Sequence, residues 1–126
     1  MKKIVLLFVV TLGFSSLSYS QNCKNYKNGK FKLQDDELGV TYIIERKGNL
    51  QTERKLGEDT VLDFEVIWID DCTYTLKSSE KTAAFLKSNV DLIVKIKDIS
   101  GDFLELEMHM KDYPQSKIST IVEVIN

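Results

Sequence analysis

The side chains best placed to do chemistry are polar residues interleaved with apolar ones between positions 42 and 55. In a strand, alternate residues share a face, so Tyr42, Ile44 and Arg46 line one side of one segment, and Gln51, Glu53 and Lys55 line one side of the next. If that face points into a barrel, Arg46 and some of Gln51, Glu53 and Lys55 are internal. Buried charge is costly unless paired, so Arg46 with Glu53 then forms either a structural ion pair or the polar floor of a ligand cavity. The competing reading is an exposed edge hairpin whose charges discourage pairing with other chains. Trp68, Tyr74 and Phe64 form a second constellation. It suits either a pocket for an apolar or sugar ligand or a packed core, and aromatics at strand spacing are more often core.

Other candidates carry less. Asp70-Asp71 and Asp35-Asp36-Glu37 do not match a calcium loop, which needs a central glycine and a terminal glutamate at fixed spacing. Turn chemistry explains Asp70 and Asp71, since aspartate tolerates the left-handed conformation of a three-residue loop. His109 has no serine or cysteine nucleophile in a recognisable motif, and no phosphate loop, nucleophile elbow or His-Glu-x-x-His helix occurs. A non-enzymatic protein without metal or cofactor is the expectation.

Residues 1–20 combine Lys2-Lys3, an apolar run over 4–14 and a small-residue stretch ending Ser18-Tyr19-Ser20. That is the pattern of a cleavable export signal, with cut before Gln21, and its apolar run is too short to span a bilayer. Without Lys2 and Lys3 the balance is 15 basic against 19 acidic residues, a net charge of about −4. Such a chain does not attract a phosphate backbone, so a nucleic-acid partner is not expected. Export places Cys23 and Cys72 where disulfides persist, and an even pair without Cys-x-x-Cys reads as one bridge.

The elements that would position these residues are strands. The segment 61–77 reads VLDFEVIWIDDCTYTLK. A three-residue loop at Ile69-Asp70-Asp71 sets Trp68 opposite Cys72, Val66 opposite Tyr74 and Phe64 opposite Leu76, with the large apolar residues on one face. In 91–110, a loop at Ser100-Gly101-Asp102 pairs Leu92, Val94 and Ile96 with Met110, Met108 and Leu106. The other face then sets Lys95 against Glu107 and Lys97 against Glu105. A third hairpin turns at Gly48-Asn49 between segments 40–46 and 50–56. Short strands are expected at 30–33 and 118–125, and Ser79 caps a short helix carrying Phe85 and Leu86. The count is an all-β, mainly antiparallel meander of about eight strands with one short helix, most easily closed as a small barrel or strongly curled sheet. It occupies a single domain over 21–126.

The segments NGKFK, IIERKGNLQTE and VIWIDDCTYTL resemble small secreted bacterial proteins of lipocalin-like, calycin type. In these a Gly-x-aromatic strand opens a meander and a Trp-x-x-x-Cys-x-Tyr hairpin follows. The likeness spans residues 23–76. It implies a small barrel with no assigned activity. Similar chains sometimes carry a name borrowed from DNA topoisomerase IV, which the length, charge and export signal of this chain oppose. The functional expectation is an exported domain, periplasmic, cell-surface or extracellular, that binds a small molecule or envelope component. The alternative is a structural or partner-binding protein using segment 50–56 as an exposed strand edge.

Overall fold

A computed structural model describes residues 22–125; the expected export signal and its cleavage site lie outside the described residues. A 3-10 turn, Asn22–Tyr26, leads into β1 (Gly29–Asp35), β2 (Val40–Lys47), β3 (Leu50–Lys55), β4 (Val61–Trp68) and β5 (Thr73–Ser78). Helix α1 (Glu80–Leu86) follows, then β6 (Asp91–Ser100), β7 (Phe103–Met110) and β8 (Tyr113–Val124). Each strand pairs antiparallel with the next, and β1 returns to pair with β8, so the meander closes into an eight-stranded barrel.

Closure follows from the period-two pattern, which gives every strand but β3 an apolar face to bury against the others. Phe31, Ile44, Phe64, Val66, Tyr74, Leu76, Val94, Ile96, Leu104, Leu106 and Val122 all point inward and form one core. It also removes the sheet edges. β3 is hydrogen-bonded to β2 on one side and β4 on the other, so the expected exposed edge at 50–56 is not present.

Consecutive turns of an up-and-down barrel fall at alternate ends. The turns at Gly48-Asn49, 69–72 and Gly101-Asp102 share one end with the 3-10 turn, here called the floor. The turns at 36–39, 56–60 and 111–112 share the other end, the mouth, with the α1 segment. The Cys23–Cys72 disulfide ties the 3-10 turn to the 69–72 loop across the floor, with Cα atoms 5.2 Å apart.

Two hairpins differ from their sequence reading in instructive ways. The β2–β3 turn is at Gly48-Asn49 as expected, with Lys47 opposite Leu50. The β4–β5 register is slipped by two residues: Trp68 faces Tyr74, Val66 faces Leu76 and Phe64 faces Ser78. The loop is longer because Cys72 leaves the ladder to reach Cys23, while the Thr73 carbonyl accepts from both Ile69 and Asp70 N–H groups. A two-residue slip keeps the same side chains inside, so facial patterning alone does not distinguish the registers. Asp70 shapes this loop by accepting the Cys72 N–H on its carboxylate at 2.9 Å, not by a left-handed backbone; among the described non-glycine residues only Lys87 has positive φ.

In β6–β7 the expected pairs of Leu92, Val94 and Ile96 with Met110, Met108 and Leu106 are present. Nearer the turn a bulge at Lys97 shifts the ladder, so Asp98 rather than Lys97 lies opposite Glu105, and the turn shortens to Gly101-Asp102. Lys97 instead pairs with Glu107 at 3.6 Å. β8 begins at Tyr113, five residues before the expected 118. It passes through Pro114 with a ladder irregularity, where the Ser116 hydroxyl accepts the Met110 N–H and donates to the Tyr113 carbonyl.

Candidate functional site

The barrel encloses a cavity of about 330 Å³. Its wall is mostly aliphatic and aromatic: Phe31, Ile44, Phe64, Leu76, Val94, Leu104, Leu106 and Val122 contribute, with Leu33, Tyr42, Leu62, Leu92 and Met108 toward the mouth. Leu86 of α1 and Val90 complete the mouth. The polar exceptions are Arg46, Gln51, Glu53 and Tyr74. Gln51 and Glu53 come from β3, the one strand whose inward column is polar throughout.

Register explains the layering. Gln51 lies between Arg46 and Phe64, one step above the Gly48-Asn49 turn and therefore at the floor. Two residues on, Glu53 lies between Ile44 and Leu62, at mid-depth. Lys55, opposite Tyr42, has reached the rim and pairs with Glu58 at 3.5 Å rather than lying inside.

At the floor Arg46 is buried and engaged through all three of its nitrogens. Its Nε donates to the Lys27 carbonyl (3.0 Å) and its Nη2 to the Tyr26 carbonyl (2.8 Å). Its Nη1 donates to Gln51 Oε1 (2.9 Å) and to the Tyr74 hydroxyl (3.1 Å). The guanidinium also lies 4.8 Å from the ring centres of Phe31 and Tyr74 and 5.5 Å from that of Trp68. Carbonyls and aromatic faces thus replace water around the charge. Burial pushes the Tyr74 phenol above its ordinary range, against the pull of the adjacent guanidinium, so it stays neutral. Of the two readings of Arg46 with Glu53, a direct ion pair is not formed: Gln51 stands between them, accepting from Arg46 and donating through Nε2 to Glu53 Oε2 at 3.0 Å.

Glu53 is left differently placed. Its Oε1 has no hydrogen-bond partner among the described residues, and no sealed polar atom lacks one, so that oxygen opens to the cavity. Desolvation by the apolar wall raises its carboxyl above the ordinary range, with the Gln51 amide pulling partly back. Of the sequence candidates, Tyr42, Arg46, Gln51, Glu53 and Tyr74 meet at the cavity. Trp68 does not line it: it packs beneath the floor, its ring centre 4.6 Å from that of Tyr74 and 5.1 Å from Lys27 Nζ.

Leu86 is legible in sequence as part of the short helix that Ser79 caps, whereas nothing in its residue type marks Val90 as a cavity residue. Ser79 Oγ accepts the Thr82 N–H at 3.1 Å and donates to Asp63 Oδ1, which also accepts from Thr82 Oγ1 at 2.9 Å. These two hydroxyls hold the Asp63 carboxyl below its ordinary range and hang α1 on β4. No protein-family model matches the chain, and no curated protein or solved structure matches it either.

Proposed function

We propose that this barrel binds a small, mainly apolar molecule that enters through the mouth, and that it acts as an exported carrier or receptor rather than a catalyst. The observation that carries this reading is the enclosed apolar cavity sealed at one end by Arg46 and bounded at the other by a short helix. Its 330 Å³ has room for roughly ten non-hydrogen atoms at about the 30 Å³ a water molecule takes in the liquid. Polar groups are few and convergent, the usual composition of a small-molecule site. The Cys23–Cys72 bridge and the leader-like residues 1–20 support an oxidising, exported setting, and the lipocalin-like resemblance agrees with a ligand held inside a barrel. Strand addition at 50–56 is not favoured, because β3 has no free side.

The test is calorimetric titration with 1-octanol, a neutral chain of matching size. Burying eight carbons at about 0.8 kcal/mol each, less the cost of ordering them, corresponds to a dissociation constant of about 0.1 to 1 mM. A Leu92→Trp variant, which fills the mouth end of the cavity, is expected to lose the binding while retaining its fold by circular dichroism. No detectable octanol binding to the unmodified protein would sink the reading.

A further inference from the structure

The cavity holds two opposite charges at different depths, and formal charge alone does not say which one meets a ligand. A guanidinium at the floor of an apolar barrel invites the assignment of a carboxylate ligand, such as a fatty acid. Hydrogen-bond accounting points the other way. Four of the five N–H groups of Arg46 are already donated, two of them to backbone carbonyls, and three aromatic rings pack around its guanidinium. Seating a carboxylate there would require breaking the contacts that seal the floor. Glu53, by contrast, has spent one oxygen on Gln51 and presents the other to the cavity between Ile44 and Leu62.

We infer that Glu53 is the residue that selects the ligand, favouring an apolar body that carries a hydrogen-bond donor, an ammonium group above all, and rejecting carboxylates. The inference rests on the ligand-cavity reading above and deepens it. A carboxylate walled by aliphatic side chains loses its hydration, and a cationic donor entering the cavity restores what was lost, whereas an anion adds repulsion in a weakly screened site. The approach has the same sign. The two mouth turns beside Glu53, 35–39 and 55–60, carry Asp35, Asp36, Glu37, Glu58 and Asp59 against Lys55 alone. An acidic entrance draws cations and slows anions.

The experiment compares three ligands of one chain length, 1-octylamine, 1-octanol and octanoate, by calorimetric titration at pH 7. Octylamine is expected to bind at least about tenfold more tightly than octanoate, the worth of one hydrogen bond to a charged group, with octanol between them. Glu53→Gln keeps the acceptor for the Gln51 amide and removes the charge. In that variant octylamine and octanoate should converge to within about threefold, while octanol stays within about twofold of its original affinity.

A second measurement needs no variant. As pH falls from 7 toward 4, octylamine stays protonated but Glu53 neutralises, so octylamine binding should weaken while octanol binding holds. The charged and titratable groups that line the cavity with Glu53 are Tyr42 and Arg46 on β2 and Tyr74 on β5, with Lys55 at the rim on its own strand; burial holds the Tyr74 phenol neutral over that range. Octanoate binding as tightly as octylamine, or an unchanged preference in Glu53→Gln, would overturn the inference and leave the cavity reading standing. Failure of all three ligands, octanol included, would remove both.

Discussion

The two ends of this barrel are built on different terms. At the floor, polar groups are consumed by the structure itself: Arg46 gathers two carbonyls, an amide and a phenol, Asn28 reaches the Gly48 N–H at 2.8 Å, and a disulfide crosses the end. Lys24 and Lys27 add exposed ion pairs to Asp71 at 3.7 and 3.6 Å, each contributing little. At the mouth, one seven-residue helix hangs from β4 by Ser79, Thr82 and Asp63, and its Phe85 and Leu86 remain exposed. The contrast separates a charge that holds the fold from one left over for a ligand. Arg46 belongs to the first kind because its donors are engaged; Glu53 belongs to the second because one of its oxygens is not.

The largest expected effect breaks the floor. Arg46→Leu strips a charged donor from four acceptors at once, and each buried acceptor left without a partner costs about 1–3 kcal/mol, less where water can re-enter, so a loss of about 3–5 kcal/mol is expected. The urea midpoint reads it directly, and a loss below about 1 kcal/mol would show that the floor is held by something else.

Reducing the disulfide comes next. It frees a loop whose ends are 49 residues apart, worth about 4 kcal/mol in the chain-entropy account and typically 2–4 in measurement. The reduced protein should gain two hydrogens in mass and unfold at lower urea. A reduced form as stable as the oxidised one would place the weight of the floor on Arg46 alone.

The smallest effect belongs to the mouth. Asp63→Ala removes the anchor of α1 and is expected to cost about 1 kcal/mol, similar to loss of a helix cap, with faster amide exchange confined to α1 and its flanks. Its pH dependence has a fixed sign. The Asp63 carboxyl is held below its ordinary value of 3.8, so its contribution is fully present above that value and is lost as pH falls through the depressed one. The difference between variant and unmodified protein should therefore shrink in strong acid. An effect spread over the whole barrel would erase the distinction between its ends.

Several of these features can be read directly in the residues. Alternation of Phe64, Val66 and Trp68, and of Leu92, Val94 and Ile96, specifies strands and which side chains go inside, because a one-residue error inverts a strand. Gly48-Asn49 marks its turn and Ser79 its helix, each through purely local chemistry. The column Gln51, Glu53, Lys55 stands out in sequence because a barrel interior has no ordinary use for it.

Tertiary structure alone decided the rest. A two-residue slip at Trp68–Tyr74 preserves every face, so facial pattern does not choose it; the Cys72–Cys23 bridge and the hydrogen bonds of the 69–73 loop accompany the observed register. The bulge at Lys97 exchanges one loop residue for one strand residue, a trade to which hydrophobic period is blind. Closure of β1 onto β8 joins segments about ninety residues apart and removes the edges those two strands would otherwise expose, while pairing with both β2 and β4 makes β3 a wall rather than an edge. In the chain Arg46 and Glu53 are simply opposite charges seven residues apart. Interposing Gln51 and folding the Tyr26 and Lys27 carbonyls beneath the floor satisfied one and left the other facing the cavity, because hydrogen-bond partners are assigned in space and not along the chain.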